Sequence, residues 1–157
     1  MKQPVSHFMK LALREAEQAA ERGEVPVGAV LTTKDHNILA QDGNRVLEFN
    51  DPTAHAEIVV IRSACAQLNN ERLPETNLYV TLEPCPMCTA AISFARISKL
   101  YFGASDIKGG AVENGICFFQ HPTCHHAPDV YGGFEEEACR TLLKSFFQMR
   151  RNETTHL

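Results

Sequence analysis

Two short motifs, one with a histidine and the other with a pair of cysteines, constrain this chain more than any other feature. His55-Ala56-Glu57 precedes Cys85-Pro86-Met87-Cys88, and Cys85 lies thirty positions after His55. Two cysteines at this spacing fit on one helical turn, and a helix N-terminus favours the thiolate form. Together with His55 they form a three-ligand set that leaves the fourth zinc position open, which is typical of a catalytic site. Any fold of this chain must therefore bring the two motifs together.

Glu57 adds an acid–base group to this predicted metal site. It lies two residues after His55, too near to be an independent fourth ligand of good geometry. It can instead overhang a water at the open position, take its proton and deliver it to a substrate. Zinc lowers the pKa of such a water to roughly 7. His, Glu and a proline-flanked Cys-x-x-Cys in this order are the pattern of zinc-dependent deaminases.

Two other interpretations of the cysteine pair stay open. Cys-x-x-Cys alone is typical of thioredoxin-like redox sites. It is also half of a four-ligand structural zinc site. The further ligands for such a site would come from a second cluster, Cys117, His121, Cys124, His125 and His126. Its spacings match no standard zinc module, so we interpret it as a polar loop near the mouth of the active site.

Composition limits the class of protein. The 157 residues, 44% of them hydrophobic and 22% charged, predict one globular domain spanning 1–157. There is no apolar run long enough for a membrane span and no recognisable secretory signal. We therefore expect a cytoplasmic protein with no membrane partner, whose six cysteines serve metal binding or burial rather than disulfides. The net charge of −4 excludes a wholly basic nucleic-acid binder but leaves room for a local basic patch.

Hydrophobic periodicity predicts alternating helices and strands. We expect helices over residues 6–22, from 51 through 68, from 86 to about 96 and over 134–151. We expect strands over 27–33, 37–40, 77–82, 99–103 and 116–119, with residues 120–133 as a loop. The first two strands form a hairpin, and the strand–helix–strand order implies parallel pairing. These elements predict an α/β fold, a three-layer α/β/α sandwich around one mixed five-stranded sheet.

The last predicted helix carries the basic patch. From Ala138 to Arg151 there are four basic residues and no acidic one, and aromatic side chains lie between them. A basic, aromatic helix on an acidic chain is consistent with nucleic-acid binding. Taken alone, it more often indicates an amphipathic core helix whose basic end complements the helix dipole. The candidate RNA contacts on this helix are Phe147, Arg150 and Arg151.

Several segments resemble the bacterial tRNA-specific adenosine deaminases. They are residues 24–30, 51–57, 78–88, 102–104, 106–110 and 146–151, and the resemblance runs from about residue 9 to 151. The zinc motif alone is common to all cytidine deaminase-like enzymes, whereas the terminal segment is more discriminating. The resemblance implies a cytidine deaminase-like fold, deamination of adenosine to inosine at the wobble position of an arginine tRNA, and recognition of the tRNA anticodon loop. It also implies a homodimer with one zinc ion per subunit and no organic cofactor.

The resemblance also assigns roles to individual residues. His55, Cys85 and Cys88 would hold zinc, and Glu57 would shuttle protons. Other residues would bind substrate. Asn44 would contact the flipped nucleoside, the Ala56 N–H and Glu83 would position the base or water, and Asp106 and Lys108 would lie near the RNA backbone and ribose.

Two rival functions are consistent with the same residues. One is a deaminase of a free nucleobase or nucleoside such as guanine or cytosine, which has the same zinc site but does not need the basic terminal helix. The other is a zinc-stabilised RNA-binding module without catalysis. Glu57 argues against such a module, since it would have no use for a carboxylate beside an open zinc position.

Overall fold

A five-stranded mixed sheet forms the middle layer of the computed structural model, which describes residues 3–154. The strands are β1 (Gly28–Thr33), β2 (Ile38–Gly43), β3 (Thr76–Leu82), β4 (Lys99–Ala104) and β5 (Asp129–Tyr131). Their order in the sheet is β2-β1-β3-β4-β5. β1 pairs antiparallel with β2 and with β3, whereas β3, β4 and β5 run parallel. The sheet therefore has the predicted size and mixed character.

Helices cover both faces of the sheet. The helices are α1 (Gln3–Glu21), α2 (Ala56–Leu68), α3 (Pro86–Ala95) and α4 (Glu136–Thr154). α1 and α4 contact one face, and α2 and α3 pack against each other and the opposite face. This arrangement confirms the three-layer α/β/α sandwich. None of the helices within residues 3–154 is long and apolar enough to cross a membrane.

Alternating side chains of the central strands build the two cores. In β1, Ala29 and Leu31 join the core under α2 and α3, while Val30 faces the core under α1. β3 repeats this pattern, with Leu78 on the first side and Tyr79 on the second. Successive strand residues point to opposite faces of a sheet, so the middle residues of strands that are buried on both sides, Ala29–Leu31 and Leu78–Val80, are apolar.

The fifth strand lies elsewhere than predicted. Residues 116–119 do not form a strand, because Gly115 and Cys117 adopt positive φ and a 3-10 turn, Phe118–Gln120, follows. β5 instead lies within residues 120–133, which the sequence predicts to be a loop. It is only three residues long, and its N-terminal Asp129 N–H donates to the Ser98 carbonyl at the start of β4. Three residues give too little alternation to be recognised in a sequence.

The second helix also starts later than predicted. Asp51 does not open it, because its carboxylate oxygen accepts hydrogen bonds from the N–H and the hydroxyl of Thr53, at 2.8 and 2.6 Å. This local turn keeps residues 51–53 outside the helix. α2 begins at Ala56 with His55 as its N-cap residue. The other elements lie within a few residues of their predicted bounds.

Candidate active site

The predicted metal ligands lie at the N-termini of two helices that start side by side. His55 is the N-cap residue of α2 and Cys85 that of α3, and both have extended backbone conformations. Neither side chain caps its own helix. Instead, His55 Nδ1 lies 3.6 Å from Cys85 Sγ and 3.5 Å from Cys88 Sγ. The fold therefore brings the two sequence motifs together as the zinc hypothesis requires.

These three side chains fit a zinc ion. Their ligand atoms all lie within 4.8 Å of one another. Zn–S and Zn–N bonds of roughly 2.3 and 2.05 Å at a tetrahedral angle place nitrogen and sulfur about 3.6 Å apart, which matches the observed spacing. A hydrogen bond from Cys88 is the main cause that lowers the pKa of Cys85 to about 4, and His55 adds to it. Cys85 is thus disposed to be the thiolate that zinc binds.

The second cysteine–histidine cluster does not join this site. Within residues 3–154, no other group of three or more potential ligands is close enough to hold a metal, and no fourth ligand atom lies within 4.8 Å of all three ligand atoms of His55, Cys85 and Cys88. The cluster packs on the far part of α3. There Ser93 donates to the His126 carbonyl at 2.6 Å, and His126 Nε2 lies 2.7 Å from the Ile97 carbonyl oxygen. A four-ligand site is therefore not formed. The cluster also does not line the active-site cavity described below, so its predicted place at the cavity mouth is wrong.

Glu57 is the second residue of α2 and is almost completely buried, with 4% of its surface exposed. Burial raises its pKa to about 7. Within residues 3–154, no group donates a hydrogen bond to its Oε2. A buried carboxyl oxygen without a partner is costly, and its presence beside the ligand set indicates a place for a water or a substrate. Its position next to His55 but outside the ligand set is as predicted.

The ligand set opens into a cavity of about 640 Å³, within the size range of small-molecule sites. His55, Cys85 and Glu57 line it, and so does Asn44. The Asn44 side-chain oxygen accepts a hydrogen bond from the Ala56 N–H at 2.8 Å, so its amide NH₂ is the end left for a ligand. The Ala56 N–H is consequently engaged and cannot itself donate to a base or water. Asn44 is the group that reaches the cavity.

Glu83 also has a different role from the expected one, which was to position the base or water. Its carboxylate accepts hydrogen bonds from the Asn114 side chain at 2.7 Å and from four backbone N–H groups at 3.0–3.1 Å, those of Asp106, Val112, Glu113 and Asn114. Burial alone would raise its pKa, but these donors keep the pKa of Glu83 below its usual value. Gly110 is required there, because a Cβ at that residue would lie 2.5 Å from the Glu83 carboxylate. Glu83 therefore shapes the 106–114 loop.

Asp106 organises the start of the same loop. Its Oδ1 accepts hydrogen bonds from the N–H groups of Lys108 and Gly109 at 3.2 and 2.9 Å. Asp106 lines the cavity, whereas Lys108 is exposed on the loop outside it.

Sequence reasoning missed Glu24. This residue fixes a loop on the opposite rim of the cavity, as Glu83 fixes the 106–114 loop. Glu24 is 2% exposed, and its carboxylate accepts hydrogen bonds from the N–H groups of Leu47 and Glu48 at 3.0–3.1 Å. This fixes the 45–50 segment, whose Leu47 lines the cavity. A glutamate just before a predicted strand gives no sign of such a role. Only its burial shows it.

The terminal helix closes one side of the cavity. Phe147 and Arg150 line it, as the sequence interpretation requires of substrate contacts. The Arg150 guanidinium lies 4.8 Å from the centre of the Phe146 ring and donates a hydrogen bond to the Gly23 carbonyl. Arg151 follows on the exposed part of the helix.

Comparison with known proteins places this site in a family. The model of the cytidine and deoxycytidylate deaminase zinc-binding region matches residues 2–104. The tRNA-specific adenosine deaminase of Agrobacterium fabrum is 62% identical over 146 residues, which cover 93% of this chain and 95% of that protein. The chain belongs to the tRNA-specific adenosine deaminase family. The cofactor of this deaminase is zinc, which agrees with the ligand set described above.

Solved structures agree with this assignment. A structure from work on A-to-I editing by tRNA:A34 deaminases at the wobble position is 63% identical and superposes with a TM-score of 0.86, covering 88% of this deaminase and 99% of that chain. A guanine deaminase from Bacillus subtilis is 34% identical with a TM-score of 0.61, covering 77% and 86% of the two chains. The shared fold therefore includes enzymes that act on other substrates.

The ligand assignment predicts how zinc content responds to substitution. Replacing Cys85 or Cys88 with alanine leaves two of three protein ligands, and we expect zinc per chain to fall to a small fraction of the wild-type value. Elemental analysis of the purified variants measures this directly. Cys65→Ala is the control, since Cys65 lies outside the ligand set and should retain full zinc. Full occupancy in both variants would show that other residues bind the metal.

The position of Glu24 predicts a change in mobility rather than in metal binding. Glu24→Gln exchanges one acceptor oxygen for a donor NH₂ that faces backbone N–H groups. Losing hydrogen bonds to a charged group costs about 1.5–3 kcal/mol. Hydrogen exchange of the 45–50 segment should then become about tenfold faster or more, with zinc content unchanged. Glu17→Gln, an exposed residue on α1, is the matched control. Unaltered exchange in Glu24→Gln would contradict the role of Glu24.

Proposed function

We propose that this deaminase converts adenosine to inosine by hydrolysis at wobble position 34 of a tRNA, an arginine tRNA first of all. In this proposal His55, Cys85 and Cys88 hold zinc, and Glu57 is the acid–base group. The observation that carries it is the buried Glu57 oxygen, which has no hydrogen-bond partner in the described part of the chain and lies beside an open three-ligand set. It occurs in a chain 62% identical to a tRNA-specific adenosine deaminase. Incubation with total tRNA followed by sequencing tests it, since inosine is read as guanosine.

The chemistry requires one proton carrier. When bound, zinc supplies Lewis-acid activation of a water at its open position. Glu57 accepts one proton from the water as the water oxygen bonds to C6, and delivers it to N1 of the adenine ring. It then takes the remaining proton from the new C6 hydroxyl and delivers it to N6, the C6–N6 bond breaks, and adenosine and water become inosine and ammonia. Glu57 is suited to this because α2 holds it in place and burial keeps bulk water away from it.

Asn44 orients the base. Its backbone is fixed by two hydrogen bonds, one from its own N–H to the Val27 carbonyl and one from Arg22 to its carbonyl oxygen at 2.9 Å. Its side-chain oxygen is held by the Ala56 N–H. The remaining amide NH₂ can therefore donate to an acceptor atom of the purine nucleoside without reorganisation. We therefore assign the orientation of the base to Asn44. Ala56 holds the Asn44 side chain, and Glu83 fixes the 106–114 loop.

The RNA approaches past the rim of the cavity. A base reaches a recessed metal only when it is unstacked, which an anticodon loop allows more readily than a duplex. Phe147 and Arg150 line the rim and can stack on bases or contact phosphates. Lys108 and Arg151 are exposed, and in this proposal they contact the RNA outside the cavity. These contacts favour a polynucleotide substrate, although the net charge of the whole chain is −4.

Removal of the acid–base group should abolish turnover but not metal binding. We expect Glu57→Gln to retain zinc and to lose activity on tRNA by about 10²–10⁴-fold or more. Quantifying inosine formation beside zinc content separates the two effects. Glu71→Gln, at an exposed residue after α2, should behave as wild type. Near-normal turnover in Glu57→Gln would remove the proposed mechanism.

A free-base deaminase is the rival that one observation favours, namely the 34% identity to a guanine deaminase. Both functions need the same zinc site, so Glu57→Gln does not separate them. Release of ammonia from guanine, cytosine and adenosine, measured beside inosine formation in tRNA, does. Turnover of a free base in preference to tRNA would support the rival.

We also propose that the deaminase is a homodimer. Large apolar side chains are exposed on the helices that bear the zinc ligands, with Phe94 of α3 71% exposed and Leu68 of α2 47% exposed. A contiguous patch of exposed apolar side chains marks a protein–protein interface, and in this proposal Phe94 and Leu68 belong to one. A second copy of the chain is the partner that the resemblance to the family implies.

A charged residue in the proposed interface should dissociate the dimer. Burying an unpaired carboxylate against an apolar surface is strongly unfavourable, so Phe94→Asp should shift the molar mass in solution from two chains to one. Light scattering after size-exclusion chromatography measures it. Met149→Asp, at an exposed apolar residue of α4, is the control and should stay dimeric. A wild-type protein that is monomeric at all concentrations would overturn the homodimer.

A further inference from the structure

Arg22 and Asp42 lie behind Asn44, outside the catalytic cavity. The described residues that line this cavity include Asn44 but neither Arg22 nor Asp42. Arg22 directly follows the last residue of α1, and Asp42 is the fifth residue of β2. Both side chains are partly buried, with 23% of each exposed. A base in the cavity would not touch either of them, and the chemistry proposed above uses neither charge.

The Asp42 carboxylate joins the residues on both sides of Asn44. Its Oδ1 accepts hydrogen bonds from the Gly43 N–H at 2.7 Å and from Arg45 Nε at 2.9 Å. The same oxygen lies 3.7 Å from Arg22 Nη2, which makes an ion pair. Asp42 thus connects the residues before and after Asn44 and holds the Arg22 guanidinium beside them.

Arg22 completes this arrangement with a hydrogen bond to Asn44 itself. Its Nη2 donates to the Asn44 carbonyl at 2.9 Å. A Cβ at Gly43 would lie 3.1 Å from this nitrogen and 2.7 Å from the Glu15 carbonyl oxygen, so glycine makes room for the guanidinium as well as for α1. The Arg22 Nε–H is buried and has no acceptor among residues 3–154. The contacts to Asn44 and Asp42 both use Nη2, so a single nitrogen forms both.

The hydrogen bond from Arg22 is the third constraint on Asn44. The Asn44 N–H donates to the Val27 carbonyl at 3.1 Å, and its side-chain oxygen accepts from the Ala56 N–H at 2.8 Å. Backbone groups supply both of these contacts, whereas a charged side chain holds the carbonyl. Without that side chain the Asn44 carbonyl can turn, and the direction of its side-chain NH₂ becomes less well defined.

We propose that Arg22, held by Asp42, is a positioning residue for deamination, because it fixes the direction in which the Asn44 NH₂ meets the purine ring. The proposal rests on the proposed function, in which Asn44 orients the base. A misplacement of about 1 Å lowers the rate of a reaction by as much as 10²-fold. Arg22 should therefore affect the chemical step, while RNA binding at the rim of the cavity changes little.

The first test measures single-turnover inosine formation in tRNA over a range of enzyme concentrations. Arg22→Met removes the guanidinium and keeps an unbranched apolar stem. We expect it to lower the rate at saturating enzyme by about ten- to 100-fold, with unchanged zinc content. Arg22→Lys should restore most of this rate, because one ammonium nitrogen can form both contacts. Arg14→Met is the matched control, since it removes the same charge from an exposed position of α1. Its half-saturating concentration should equal that of Arg22→Met.

A second measurement follows Asn44 directly and needs no RNA. Asn44→Asp keeps the side-chain oxygen and removes the NH₂, and so identifies the Asn44 NH₂ signals in heteronuclear NMR spectra of the zinc-loaded protein. In Arg22→Met these signals should shift, and their order parameter should fall below about 0.6, the range of a flexible group. In Arg14→Met and Arg22→Lys they should stay as in the wild type. A residue that merely stabilises the fold would not move this readout.

The outcomes separate this proposal from the proposed function. Equal saturating rates in Arg22→Met and Arg14→Met, or an Asn44 NH₂ that stays ordered in Arg22→Met, would overturn the proposal. A loss seen only as a higher half-saturating concentration would also overturn it, because Arg22 would then be an RNA contact. If the wild type forms no inosine in tRNA, the failure lies with tRNA deamination itself. The Asn44 signals then decide whether Arg22 holds this residue.

Discussion

The structure depends on the meeting of two helix N-termini at one metal site. β1 separates β2 from β3 in the sheet, so the strands that lead into α2 and α3 are two strand spacings, about 9.6 Å, apart. That distance equals the usual separation of two packed helices, roughly 8–10 Å. The helices can therefore start side by side on one face of the sheet, and their N-cap side chains, His55 and Cys85, meet across the gap. The strand order thus determines both how α2 and α3 pack and where the metal ligands meet.

Two buried carboxylates hold the loops around this centre. Glu24 and Glu83 have 2% of their surface exposed, yet each is satisfied by backbone N–H groups of a loop that lies far away along the chain. A buried carboxylate is tolerated only when such donors surround it. The hydrogen bonds that stabilise each buried glutamate therefore also fix the conformation of its loop. The cavity between them consequently has walls that are formed before a substrate arrives. Glu57 differs in keeping one oxygen without a hydrogen-bond partner among residues 3–154, and it lies beside the ligand set.

The sequence predicts what depends on local pattern and on motif chemistry. The strands β1 and β3, the hairpin and the ligand set His55, Cys85 and Cys88 follow from residue patterns, and the structure agrees with each. It does not predict features that depend on distant partners. β5 is defined by its pairing to β4, and the parts of Glu24 and Glu83 are defined by N–H groups 23 to 31 positions away. The extent of one domain over 1–157 stays a prediction.

The zinc centre alone does not choose a substrate, because a guanine deaminase has the same fold. The choice must lie in the walls, and α4 is a wall with a largely exposed surface. Of its residues from Glu136 to Thr154 only Cys139 is buried, and its second half meets the segment after α1 through Arg150 and the Gly23 carbonyl. Arg150 lines the catalytic cavity, so we expect a change at this contact to alter the cavity wall but not the ligand atoms, which the N-termini of α2 and α3 hold. Substrate preference can therefore vary on α4 while the deamination chemistry stays the same.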